Sequence, residues 1–345
     1  MVTERQKNLE KLKELIYQIF NLEDIECNVV IDSTDLVNAR IEHYRGEYTV
    51  TIYSGLINNI QYLIHDKLRR FDNNDRRWFQ NFQYLDFLKI FEHVIPESDD
   101  EKILYDIKNL FASSIFLIVI FHELGHVVAN HIGKNTVYSE FSSNEIGNLE
   151  SQEKEMVADW LSIKKFFSLI LSNLEQGEIQ KTDNIENIEK YLNLLQRAMV
   201  FTWLVLALEF HFYTEPHLAS IDELISKKHP PNAVRFYYCT EAMTEAAIDS
   251  INKKFSLSDE ESELICSDIF YDSKIYFQSF LQLMSLPFND LYTNPLIYEY
   301  YILLRNVPYR DGNQDDSLHL QKLTQEQLEG LNELIVLFNQ GFKID

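Results

Sequence analysis

The chain has 345 residues, of which 46% are hydrophobic, and this is enough to fill one large core or two modest ones. Its 54 acidic and 31 basic residues give a formal net charge of -23, which opposes binding to nucleic-acid phosphates and to anionic lipid surfaces. Nine glycines, seven prolines and the lack of a sequence repeat exclude linker-rich, fibrous and solenoid architectures.

The N-terminal region predicts a helix followed by a small sheet. Residues 1–20 have a charged amphipathic pattern and lack the apolar segment of an export signal. Residues 27–32 and 37–55 contain short runs of β-branched and aromatic side chains, which are typical of strands. Arg45-Gly46 supplies a turn within the second run. We therefore predict a small antiparallel sheet.

Most of the remaining chain has the periodicity of helices. We interpret residues 56–110 as a helical insertion. A helix from Asp106 to Asn130 follows, and its centre, IFLIVIF, is apolar on every face, which is typical of a helix in the middle of a domain. Further helices are predicted at about 153–171 and 185–213, and His229-Pro230-Pro231 opens another, because proline is tolerated in a first turn.

These elements predict a mainly α fold with a small antiparallel sheet, of the α+β class. We divide it into a domain of residues 1–254 and a helical C-terminal extension of residues 255–345. The apolar stretches Phe111–Phe121 and Met199–Tyr213 fall short of the roughly 20 residues that a bilayer requires, so we expect core helices and no membrane insertion. Three scattered cysteines without a C-x-x-C pair, and no export signal, predict a cytoplasmic protein.

The segment His122-Glu123-Leu124-Gly125-His126 is an H-E-x-x-H motif inside the predicted central helix. Its spacing places both imidazoles on one helical face, one turn apart, which suits a single tetrahedral zinc ion. Glu123 points about 100 degrees away from His122 and is the candidate general base. With ten histidines in 345 residues, chance gives about 0.02 such motifs.

A catalytic zinc usually has three protein ligands, and Glu155 is the best candidate for the third. It stands four residues before Asp159 on a stripe of otherwise apolar or small residues, where two carboxylates repel each other unless a cation is near. Zinc on Glu155, with Asp159 accepting a histidine N–H, would satisfy both charges. The alternative is that Glu150, Glu153 and Glu155 form the solvated acidic start of a helix.

His131 and Glu145 are the other candidate ligands. His131 lies close to the predicted end of the helix, and it would need a turn directly after His126, where the sequence VVAN continues in helical fashion. We therefore expect His131 to be a helix-end residue, and the spacing favours Glu155.

His229 and Arg235 form the third element of the site. A histidine at the mouth of a helix and an arginine about one and a half turns inside it can aim two hydrogen-bond donors at one point, such as the oxyanion of a tetrahedral intermediate. A capping histidine and a surface arginine fit the spacing equally well.

Four segments occur in an order that is more specific than any one motif. They are VNAR (37–40) leading into GEYTVTIYSGLI (46–57), FHELGH (121–126), EMVAD (155–159) and HPPNAVR (229–235). Together they resemble the gluzincin metallopeptidases, above all the HtpX and prenyl-protein (CAAX) endopeptidase group and the soluble Lit-type phage-exclusion peptidases. The likeness covers about residues 28–235.

The resemblance implies a zincin-like helical core, one Zn²⁺ on His122, His126 and Glu155, and transition-state donors at His229 and Arg235. It also implies an edge strand that pairs with an extended peptide substrate. The residues of that strand would be Tyr48, Thr49, Val50, Thr51, Ile52 and Tyr53. The Lit-type likeness further implies cleavage of a host protein in phage defence.

The sequence thus predicts a zinc-dependent endopeptidase with a protein or peptide substrate. A regulatory partner could bind the 56–110 insertion or the C-terminal extension. One alternative is a zinc-containing module that binds a partner without turnover, although zinc binding alone does not require Glu123. Another is a non-proteolytic zinc hydrolase, which should lack a substrate-pairing edge strand.

Overall fold

The computed structural model describes residues 4–21, 23–68, 100–132, 137–139, 148–182, 188–211, 220–227, 229–284 and 295–305. It confirms a mainly helical chain with a small sheet. The elements in chain order are α1 (Glu4–Asn21), β1 (Cys27–Asp32), β2 (Ala39–Tyr44), β3 (Glu47–Tyr53), α2 (Ser54–Lys67), α3 (Asp100–Val128), β4 (Val137–Ser139), α4 (Leu149–Thr182), α5 (Ile188–His211), α6 (Ile221–Ile225), α7 (Asn232–Phe255), α8 (Asp259–Met284) and α9 (Pro295–Arg305).

The sheet has the strand order β1-β3-β2-β4. Strands β2 and β3 form the predicted hairpin, with Tyr44 opposite Glu47. The two loop residues, Arg45 and Gly46, have φ angles of 55° and 88°, and a two-residue turn of this kind matches the twist of the strands. Strand β4 pairs antiparallel with the other side of β2.

The prediction of an antiparallel sheet is wrong for β1, which pairs parallel with β3. Successive strands alternate in direction, so pairing β1 with β3 instead of β2 makes that pair parallel. The connection between β1 and β2 crosses the end of β3, where Thr34 O accepts from Gly55 N and from Ser54 Oγ. A Cβ on Gly55 would lie 2.2 Å from Asp35 O, so only glycine permits this crossing.

Helix α3 lies at the centre of the helical layer. Its residues from Leu110 to Phe121 are almost all buried, as the apolar pattern predicted. It packs closely on α4, because Gly125 has no side chain where it meets Ala158: a Cβ on Gly125 would lie 2.8 Å from Ala158 O. One turn further along α4, Ser162 Oγ donates to Ile118 O at 2.8 Å. This contact fixes the spacing of the two helices that carry the site.

Helices α3 and α5 contain stretches, Lys108–Val128 and Ile188–Phe210, that are long and apolar enough to cross a membrane. The expectation that both are too short is therefore wrong on length and composition. In the structure they are 89% and 72% buried inside the protein, respectively, which is also the behaviour of core helices.

The described part of the predicted C-terminal extension packs on the rest of the chain. Cys266 and Ile269 of α8 belong to the main core. Helix α9 contributes to a second apolar cluster, which we call the α9 cluster. Its buried members are Met156, Leu224, Val234, Ile297, Tyr300, Tyr301 and Leu304.

Within the predicted insertion of residues 56–110, α2 covers the beginning and α3 the end. Residues 69–99 lie outside the described part of the chain. The division at residue 254 coincides with the end of α7, where Ser256 adopts a left-handed conformation, and as a domain boundary it stays a prediction.

Candidate metal centre

His122 and His126 lie one turn apart on α3, as their spacing predicted. Both side chains are buried. Their Nε2 atoms are 3.1 Å apart, and the rings stand nearly perpendicular, at 86°. Two imidazole nitrogens therefore point at the same small volume beneath the surface.

Glu155 of α4 supplies a third ligand atom to this volume. Its Oε2 lies 3.3 Å from His122 Nε2, and its Oε1 lies 3.8 Å from His126 Nε2. Atoms bound about 2.0–2.1 Å from a tetrahedral ion are about 3.4 Å apart, so the three side chains are already close to the geometry of a zinc site. Among the described residues, His122, His126 and Glu155 form a group that could hold a metal ion.

The protonation of Glu155 and His126 suits a cation. Burial opposes the charge of Glu155, but the nearby imidazoles of His126, His122 and His229 hold the pKa of its carboxyl well below the usual range. Burial lowers the pKa of His126 well below its usual value, so this ligand is neutral. Neutral imidazole and ionised carboxylate are the forms that bind zinc. The alternative explanation, a solvated acidic helix start, is wrong for Glu155, which is fully buried.

Asp159 contacts His122 on the side of the ring opposite Nε2. Its Oδ1 lies 2.8 Å from His122 Nδ1, as the sequence interpretation required. Burial alone would lower the pKa of His122, but the hydrogen bonds to Asp159 and Glu155 raise it well above the usual value. If Nε2 bound a zinc ion, Nδ1 of His122 would carry the proton and donate to Asp159, which would fix the orientation of the ring.

Arg235 in turn holds Asp159. Its Nε donates to Oδ2 at 2.7 Å and its Nη2 to Oδ1 at 2.8 Å, a bidentate pair. Burial opposes ionisation of Asp159, yet Arg235 outweighs it and lowers the pKa of this carboxyl to about 2. Arg235 was expected to donate to an oxyanion. The structure instead directs two of its N–H groups to Asp159, so that Arg235, Asp159 and His122 form a chain leading to the metal site.

His229 also contacts this centre. His229 Nδ1 lies 3.1 Å from Glu155 Oε2, and 29% of its side chain is exposed, which makes it accessible from outside. The side chain precedes α7, whose N-cap is Pro231. Glu123 is buried next to His122. The residues predicted for the metal and its chemistry therefore lie on α3, on α4, and on or just before α7.

His131 lies on the far side of His126 from the metal site. Its Nδ1 is 3.1 Å from His126 Nδ1, while His126 Nε2 faces Glu155 and His122. The helix ends at Val128, within two residues of the predicted end at about Asn130, and Ala129 N still donates to Gly125 O. His131 is a helix-end residue, as predicted. Glu145 lies outside the described residues.

Gln152 is a further residue of the site that the sequence did not reveal. It is fully buried one turn before Glu155, and its amide donates to Leu224 O at 2.9 Å and to Lys227 O at 2.5 Å. These carbonyls end α6 and begin the segment that carries His229. No sequence pattern distinguishes a single glutamine three residues before Glu155, so its contacts could not be predicted.

The expectation that residues Tyr48 to Tyr53 form an edge strand for substrate is wrong. Residues Tyr48 to Tyr53 belong to β3, which pairs with β1 on one side and β2 on the other. Both rows of its backbone hydrogen-bonding groups are therefore used, and a peptide cannot add to it. The edges of the described sheet are β1 and β4.

Comparison with known proteins adds no relative. No family model matches the chain, and no curated protein or solved structure matches it either. The metal centre is therefore interpreted from its own geometry.

Proposed function

We propose that this protein is a zinc-dependent peptidase that binds one Zn²⁺ through His122, His126 and Glu155. The observation that carries the proposal is the convergence of two buried imidazole nitrogens and one buried carboxylate oxygen within 4.8 Å of one another. The donor set of two histidines and one glutamate is a known catalytic zinc set.

When bound, zinc would supply a Lewis acid and lower the pKa of a coordinated water toward 7. Glu123 follows His122 directly in α3 and is buried at the same depth. A carboxylate in this position takes the proton from the attacking water and delivers it to the leaving amine. Binding the metal does not require Glu123, so its presence favours hydrolysis over a purely structural zinc site.

We assign His229 and Arg235 different tasks. His229 is the partly exposed imidazole at the centre, and it is the proposed donor to the oxyanion that develops during hydrolysis. Arg235 acts through Asp159 and His122 by keeping Asp159 ionised and correctly oriented. We assign Arg235 this role, and not the oxyanion contact predicted from the sequence, because both of its described guanidinium hydrogen bonds go to Asp159.

A peptide substrate is proposed from the resemblance to gluzincins and from the available sheet edge. Strand β4 follows the metal-binding helix in the chain, and within the described residues it pairs only with β2. Its other edge can accept an extended peptide. A role in phage defence rests on the Lit-type resemblance alone.

A non-proteolytic zinc hydrolase is the second candidate, because it would use the same ligands and β3 offers no free edge. Incubating the protein with a cell lysate and identifying new protein N-termini by mass spectrometry separates the two functions. The Glu123→Gln variant is the control, since it should retain zinc. A peptidase produces new N-termini only with the unmodified protein, whereas identical N-termini in both samples would contradict the peptidase proposal.

A further inference from the structure

The C-terminal end of α3 brings His131 back against a proposed zinc ligand. Asn130 has a φ angle of 55°, the left-handed conformation that closes helices. His131 N then donates to His126 O, and Asn130 N donates to Val127 O, both at 2.9 Å. This pair of bonds defines the Schellman motif, in which the residue after the left-handed one, here His131, comes to lie next to the residue five positions earlier, here His126.

The Schellman motif usually joins two hydrophobic side chains at these positions. Here the two positions are occupied by His131 and His126. Their Nδ1 atoms are 3.1 Å apart and their ring centroids 5.3 Å apart. A polar contact in place of an apolar one, at a buried metal ligand, indicates a role beyond closing the helix.

The metal side of His126 determines the direction of this hydrogen bond. His126 Nε2 faces Glu155 and His122, so a bound zinc takes the lone pair of Nε2. A neutral imidazole then carries its proton on Nδ1. The Nδ1 of His131 can only accept that proton in a hydrogen bond.

We propose that His131 is a positioning residue of the metal centre, which accepts a hydrogen bond from Nδ1–H of His126 and holds its Nε2 toward the metal. It does for His126 what Asp159 does for His122. Both histidine ligands are then oriented from behind, one by a carboxylate of α4 and the other by the end of their own helix. The inference rests on the zinc site of the proposed function.

The test compares zinc affinity in three variants by competition with a chromophoric chelator. His131→Phe keeps an aromatic ring but cannot accept a hydrogen bond, and loss of such a partner lowers metal affinity about 10-fold to 100-fold. His131→Asn retains an acceptor and should restore most of the affinity. His65→Phe, an exposed histidine on α2, is the matched control and should bind zinc like the unmodified protein.

Two further measurements separate positioning from other roles. The melting temperature of the metal-free His131→Phe protein should match that of the unmodified protein, and the visible spectrum of Co²⁺ bound to it should keep its four-coordinate form. Unchanged zinc affinity in His131→Phe would overturn the inference, as would loss of the four-coordinate spectrum, which would make His131 a ligand. If His131→Phe does not fold, His131→Leu against His131→Asn gives the same comparison.

Failure of this inference and failure of the proposed function give different results. If the unmodified protein binds zinc and His126→Ala does not, the site exists and His131 alone is judged by its variants. If zinc binding is absent from the unmodified protein, the proposed function and the inference both fall.

Discussion

Among the single residues of the site, Asp159 connects His122 of α3 with Arg235 of α7. One of its oxygens contacts His122 and Arg235, and the other contacts Arg235 alone. The three side chains are buried or nearly so. A buried carboxylate that loses its cationic partner is left uncompensated, so the arginine matters to stability as well as to the metal.

Arg235→Ala should therefore destabilise the protein by about 3–5 kcal/mol, the scale for breaking one side of a buried ion pair. It should also weaken zinc binding about 10-fold to 100-fold by releasing Asp159 and His122. Urea unfolding and chelator competition measure the two effects.

Arg235→Lys is the control for the geometry of the guanidinium, because an ammonium cannot reproduce the two parallel hydrogen bonds. It should recover only part of the loss. The oxyanion role implied by the gluzincin resemblance makes a different prediction, namely a lower kcat with normal stability and normal zinc affinity. That outcome would contradict the positioning role.

At the scale of elements, the contact between α3 and α4 brings Glu155 to the histidines. Gly125 lies between His122 and His126 on the ligand helix, and it meets the backbone of Ala158 on the helix of Glu155. The spacing of these two helices is therefore set within one turn of each metal ligand. Any side chain at residue 125 must move one helix relative to the other.

Gly125→Ala should cost about 1–3 kcal/mol through overpacking, in spite of the better helix propensity of alanine. Zinc affinity should fall with it, because Glu155 moves away from the imidazoles. Adding Ala158→Gly should not rescue either property, since the atoms that the new methyl group meets belong to the Ala158 backbone. Normal zinc affinity in Gly125→Ala would show that the helix spacing does not control the site.

Several helices, strands and turns were predictable from the sequence. The Arg45-Gly46 turn, the apolar central helix and the strand at residues 27–32 follow from local signals, and the structure has them. The parallel pairing of β1 was not predictable, because it depends on how the connection crosses the end of β3 beside Gly55. Local periodicity carries no information on which strand lies next to which.

In the site, too, some contacts follow from local sequence patterns and others depend on tertiary structure. The i, i+4 pairs on α3 and α4 predicted the candidate ligands His122, His126 and Glu155 and their neighbour Asp159, because helical geometry fixes which residues share a face. The contact of His131 with His126 depends on a left-handed Asn130, and asparagine is compatible with both that conformation and a continued helix. The role of Gln152 depends on a tertiary contact with α6, which no local pattern encodes.

At the scale of the whole molecule, the α9 cluster links the C-terminal part of the chain to the site. Met156 of this cluster directly follows Glu155, and Leu224 and Val234 flank the segment that contains His229. Tyr301 OH also donates to Glu241 of α7. Helix α9 thus packs on α4, which carries Glu155, and on α6 and α7, which lie on either side of the segment that contains His229.

Tyr300→Ala should loosen this part of the molecule, because the side chain of Tyr300 is fully buried. Truncating a large buried aromatic costs about 3–5 kcal/mol. Hydrogen exchange of residues 220–236 should become faster, which mass spectrometry can follow peptide by peptide.

Tyr298→Ala on the same helix is the matched control, since 40% of Tyr298 is exposed. Substitutions at such surface positions usually change stability by no more than about 0.5 kcal/mol. Equal exchange rates of residues 220–236 in both variants and the unmodified protein would mean that α9 does not support the site.

We propose that His122, His126 and Glu155 bind one zinc ion, and the zinc content of purified variants tests this assignment. After dialysis against metal-free buffer, elemental analysis should find about one zinc per chain in the unmodified protein and in Glu123→Gln. His126→Ala and Glu155→Ala should contain almost none. A full zinc content in Glu155→Ala, or the absence of zinc from the unmodified protein, would mean that these three residues do not form a zinc site.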